Sequence, residues 1–130
     1  MKVIKFSIII ISIISCTFST ETYKEGKLVY ENYCSGCHGI QMDGLKDLYP
    51  PLKDVNWYEQ NRNQMPCWLK NGITLKNLRL GKQEMPAHTE LSSIQICNVL
   101  NYLNSINWKL KSPFTLEEIN LNLKNCSNQK

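Results

Sequence analysis

The segment Cys34-Ser35-Gly36-Cys37-His38 sets two thiols and an imidazole side by side. C-x-x-C-H is the attachment sequence for c-type haem. The chemistry accounts for every position. Two thiols can add across the two vinyl groups of a porphyrin to give thioether links, and a gap of two residues lets both sulfurs reach one edge. His38 follows directly, so its imidazole can turn under the ring and bind the iron, as a proximal His does.

Three other chemistries use parts of this pattern. A thioredoxin-like pair needs a strand before it and a helix after it, whereas Tyr23, Gly26, Tyr30 and Tyr33 recur here at helical spacing. A structural zinc site needs four ligands, and the chain has no second C-x-x-C and no paired-His element. A plain disulfide between Cys34 and Cys37 would give His38 no task.

Electron transfer needs the iron's sixth position filled. Met42, Met65, Met85 and His88 are the candidates. Met42 follows His38 too closely to reach the other ring face easily. Met65 opens an apparent helix, Met65–Asn71, whose Pro66 and Gly72 suit a first turn and an end. Met85 sits in the loop Gly81-Lys82-Gln83-Glu84-Met85-Pro86-Ala87-His88, which Pro86 stiffens. His88 is the competing ligand.

The N-terminus reads as an address. Met1 to Lys5 is basic, and Phe6 to Ile14 is an apolar run well short of the roughly 20 residues that span a bilayer, the length of a signal-peptide core. Ile13-Ile14-Ser15-Cys16 resembles the lipobox of bacterial lipoproteins. That resemblance implies lipidation of Cys16, with residues 1–15 removed and 16–21 as a short tether. Cleavage near Ser19-Thr20 is the alternative. Either route exports the chain to where thiols oxidise.

The elements that must hold these groups are mostly helical. A first helix is expected from about Tyr23 to Cys34 and a second over Met65–Asn71. A small hairpin could pair Ile73-Thr74-Leu75 with Leu78-Arg79-Leu80. Ser92-x-x-Gln95 reads as a capping box opening a helix to Ile106, with Ile96, Val99, Leu103 and Ile106 on one face. After Pro113, Thr115-x-x-Glu118 opens a last helix whose stripe is Leu116, Ile119 and Leu123. This helix is expected to pack on its own body. Trp57, Trp68 and Trp108 read as core or haem-edge packing.

Six cysteines remain to be divided. With Cys16 on lipid and Cys34 and Cys37 on haem, Cys67, Cys97 and Cys126 allow one disulfide. Cys97 sits on a helix face expected to be buried, where a free thiol behaves as a small hydrophobe. Cys67–Cys126 is favoured and Cys67–Cys97 is the runner-up. The 130 residues allow one domain. The formal charge of +4 includes Lys2 and Lys5 of the leader, so a nucleic-acid partner has no electrostatic support.

From about Thr22 to Trp108 the chain resembles class I bacterial monohaem cytochromes c. The resemblance is carried by C-x-x-C-H-G, Tyr49-Pro50-Pro51-Leu52, Asn71-Gly72, Met85-Pro86-Ala87, Leu91-Ser92 and the closing Leu100-Asn101-Tyr102-Leu103. It implies an all-α fold of three to four helices around one covalent haem c, with a domain over 22–130 and a helical extension from about 113. Met85 matches the distal ligand. Pro50 matches the proline whose carbonyl accepts the ring N–H of the haem His, a contact that fixes its tautomer. Tyr30 and Tyr102 match positions where the first and last helices cross. The implied activity is electron transfer without enzymatic turnover, with redox protein donors and acceptors and a lipid anchor on the periplasmic side of a membrane. A permanently bound haem subunit of a larger oxidoreductase is the alternative, and an open-iron haem enzyme a more distant one.

Overall fold

In the computed structural model, which describes residues 20–77 and 81–126, helix α1 (Thr20–Tyr33) turns Gly26, Val29 and Tyr30 inward. Tyr23 and Tyr33, at the ends of the expected stripe, are exposed. Helix α5 (Ser93–Leu103) crosses α1 in the most extensive helix pairing of the fold. Its start is fixed by a full capping box: Ser92 Oγ accepts from Gln95 N, and Gln95 Oε1 accepts from Ser92 N. Glycine is required at position 26, because a Cβ there would fall 2.7 Å from Tyr102 Cβ and closer still to the Asn98 carbonyl. Beside this contact the Tyr30 and Tyr102 rings lie 5.9 Å apart and tilted.

The expected continuation of α5 to Ile106 does not occur. One π-helical turn, Asn104–Trp108, follows Leu103 and ends on Lys109 at φ 51°. The wider turn rotates the register, so Ile106 is 46% exposed and Trp108 takes the core position at 2%. Trp108 Nε1 and Asn107 Nδ2 both donate to the Leu52 carbonyl at 3.0 Å, and the indole stacks on Tyr58.

Three further helices complete the frame around the cysteine motif. Helix α2 (Ser35–His38) is one turn. Helix α3 (Val55–Gln60), absent from the expected element order, is capped by Asp54, whose side chain accepts from Trp57 N at 3.1 Å. Helix α4 (Met65–Asn71) has the expected bounds, with proline in its first turn and Gly72 at its end.

Only the first arm and the turn of the expected hairpin fall among the described residues. Leu75–Asn77 forms a 3-10 turn, and Ile73 pairs with Met85 by two backbone hydrogen bonds of 2.8 and 3.0 Å. Residues 78–80, the other arm, lie outside the described residues. Met85 thus satisfies the groups that a local partner strand would have used.

Helix α6 (Leu116–Asn125) starts at Thr115, whose hydroxyl accepts from Glu118 N. It packs on α4 and α5. Ile119 is fully buried and Leu123 packs against the core, but Leu116 is 41% exposed and is not part of the buried stripe. The described residues therefore make an all-α fold, as the sequence implied, without a named strand.

Candidate haem-binding site

The site begins where α1 stops. Cys34 N donates to Tyr30 O, and Cys37 N and His38 N both return to Cys34 O, so the motif winds into α2 without leaving the α1 axis far behind. The Tyr30 hydroxyl donates to Gly39 O at 2.6 Å and ties this turn to the α1–α5 crossing. Cys34 is buried and Cys37 half-buried, and both are thiols. Burial, with Cys37 beside it, pushes the Cys34 thiol up to about 12.

His38 Nδ1 lies 3.0 Å from the Pro50 carbonyl. A carbonyl only accepts, so Nδ1 carries the proton. Burial lowers the imidazole's pKa and so favours the neutral ring, while the Pro50 contact opposes it in part. Nε2 is then the nitrogen with a free lone pair, the form a metal needs. The loop that brings Pro50 here is closed by Gly44 N to His38 O and by Leu45 pairing with Tyr49.

Cys34, Cys37 and His38 line one cavity of about 1390 Å³ together with Met65, Met85 and His88. Much of its remaining wall is aromatic and aliphatic, including Trp57 and Trp68, whose rings stack at 5.1 Å. Of the candidate sixth ligands, Met42 is turned away: its sulfur accepts from Asn107 Nδ2 at 3.0 Å, and it does not line the cavity. Met65 is 3% exposed and fixed in the first turn of α4. His88 faces the Tyr33 ring edge-on and sits 3.6 Å from Glu90. Met85 is held by its two backbone bonds to Ile73.

Gly72, expected only as a helix end and as part of the Asn71-Gly72 motif, has a further task. Its φ is 74°, and a Cβ would lie 2.5 Å from Met85 O and 2.8 Å from Ala87 N. The end of α4 and the Met85 loop can approach this closely only because that side chain is absent. Reading Gly72 as a helix end alone concealed its contact with the loop that follows.

Cys67 and Cys126 are joined by a disulfide, and Cys97 is a buried thiol. Both bridged cysteines and Leu123 also line the cavity. Cys16 lies outside the described residues. Among the described residues, no cluster of three or more His, Cys, Asp and Glu side chains could hold a metal ion.

The donor set fits a covalently bound porphyrin. Two thiols, a neutral imidazole with its outer nitrogen anchored, and a thioether share one large apolar cavity. The family model described as cytochrome C oxidase, cbb3-type, subunit III matches residues 21–103. The chain belongs to that family, whose cytochrome c domain carries covalent c-type haem and transfers electrons. No curated protein matches the chain.

Proposed function

We propose that this chain holds one haem c, linked through Cys34 and Cys37 and ligated by His38 and Met85. It relays single electrons between membrane oxidoreductases on the non-cytoplasmic side of a bacterial membrane, anchored by lipid at Cys16. The observation that carries this reading is the shared cavity, which has Cys34, Cys37, His38 and Met85 in one wall system. Bound there, haem supplies a one-electron iron couple.

The protein's own groups do the rest. Pro50 O holds the His38 ring in one tautomer and orientation. The Ile73 bridge and Gly72 hold the Met85 loop against α4. A thioether is a soft, neutral ligand and favours the reduced metal, raising the potential relative to a second imidazole. The apolar wall works in the same direction, since an added positive charge is costly in a low dielectric.

Replacing Met85 with Ala tests the ligand set. The far-red Met–iron charge-transfer band should vanish, the midpoint potential should fall, and the reduced protein should gain carbon monoxide binding. A retained band would move the ligand to Met65, and carbon monoxide binding by the unaltered protein would favour an open-iron enzyme.

The family description supports a second reading. A subunit of an oxidase is held in one complex instead of shuttling between several. Co-purification of the full chain with an oxidoreductase after gentle detergent extraction supports that arrangement, and recovery as a lone monomer supports the shuttle.

A further inference from the structure

The family match ends at residue 103, yet the cavity wall does not. Beyond the π turn the chain returns across the body. Leu110, Phe114 and Ile119 enter the same core cluster as Tyr30 and Leu100, and Leu123 and Cys126 reach the cavity that holds Cys34, Cys37 and His38. This return is fastened at both ends. At its start Arg62 donates to the Ser112 and Pro113 carbonyls at 2.8 Å and to both carboxylate oxygens of Glu118 at 2.6 and 2.9 Å. The same guanidinium lies over the Phe114 ring at 3.9 Å. Asn101 then pairs with the Phe114 backbone in both directions, at 2.7 and 2.9 Å. At its finish the Cys67–Cys126 disulfide joins it to α4.

A helix that only covered apolar surface would need one stripe and no such fastenings. Here the fastened segment contributes an aliphatic side chain and a disulfide to the wall of the haem cavity. We propose that residues 110–126 are a positioning element for the haem site: Leu123 and the Cys67–Cys126 bridge keep water from the α4 side of the cavity and so hold the potential up, and Arg62 sets the segment's path. This rests on the reading that the cavity holds haem. Its physical basis is the one that governs any buried redox centre. Water admitted to the wall stabilises the more highly charged oxidised state and lowers the potential.

The test uses the full, haem-loaded chain with Leu123→Ala, the double Cys67→Ser/Cys126→Ser, and Ile119→Val as comparison. Ile119 is in the core but not in the cavity wall. Haem content is measured first, then the midpoint potential, then thermal unfolding. Leu123→Ala and the double serine variant should retain haem and show a downward shift in potential. Ile119→Val should melt earlier with its potential in place. Leu123→Ala keeps the disulfide, so it reports even where the double variant fails to fold. Haem-loaded Leu123→Ala with an unmoved potential would overturn the proposal alone, as would an equal shift in Ile119→Val. An unaltered chain that takes up no haem would overturn it together with the reading beneath it.

Discussion

At the scale of single residues, the site depends on backbone atoms as much as on the side chains that carry its chemistry. His38 is aimed by a carbonyl, that of Pro50, and Met85 by two backbone bonds to Ile73. Gly72 is the residue on which the second arrangement turns. Gly72→Ala puts a side chain at φ 74° and drives its Cβ into Met85 O. At φ 74° and ψ −179°, a region that essentially only glycine occupies, the backbone alone costs a side-chain-bearing residue about 1–3 kcal/mol, and displacement of the loop adds to it. Denaturant unfolding should show a loss of about 2–4 kcal/mol, accompanied by a weakened Met–iron band. An unchanged midpoint would mean that the loop tolerates the approach. Cys34, Cys37, His38 and Met85 could be singled out from type and spacing, because each is chemically conspicuous. The contact of Gly72 with the Met85 loop and the role of Arg62 could not. Arg62 stands in the polar run Asn61-Arg62-Asn63-Gln64, and its partners Ser112, Pro113 and Glu118 are far along the chain.

At the scale of elements, what was legible in the sequence was what neighbouring residues decide. The Ser92 capping box and the Pro66–Gly72 limits of α4 are local chemistry, and both elements stand where that chemistry puts them. The Asp54 cap of α3 was equally local and was overlooked. The π turn was not legible, because it is stabilised by Trp108 and Asn107 reaching the Leu52 carbonyl across the fold. The pairing of Ile73 with Met85 was not legible for a similar reason, since the two stand twelve residues apart. The fastening of α6 gives a prediction at this scale. The Arg62 hydrogen bond is the largest influence holding the Glu118 carboxyl below its usual range, with burial opposing it. A carboxyl depressed in the fold stabilises the fold above its unfolded pKa and loses that contribution as pH falls through the folded value. Glu118→Gln should therefore cost about 1 kcal/mol near neutral pH. The difference from the unaltered protein should shrink as the pH drops below the ordinary carboxylate range. A cost that persists in strong acid would show that the carboxylate charge is not its source.

At the scale of the molecule, the described residues make one all-α body whose helices meet around a large cavity. The Cys67–Cys126 bridge joins residues 59 apart in sequence, and chain-entropy reasoning gives such a closure about 4 kcal/mol. No helix among the described residues is long and apolar enough to cross a membrane, and the attachment proposed above is lipid at Cys16. Cys16→Ser should move the protein from the membrane fraction to the soluble fraction after export, and continued membrane association would remove the lipid from the account. The central claim is that haem is bound covalently, one to a chain. It is tested most directly by extracting the purified, matured protein with acidified acetone and recording the pyridine haemochrome spectrum of the polypeptide that remains. The account predicts a c-type spectrum with one haem per chain retained on the protein; a colourless polypeptide, or haem recovered wholly in the acetone, would contradict it.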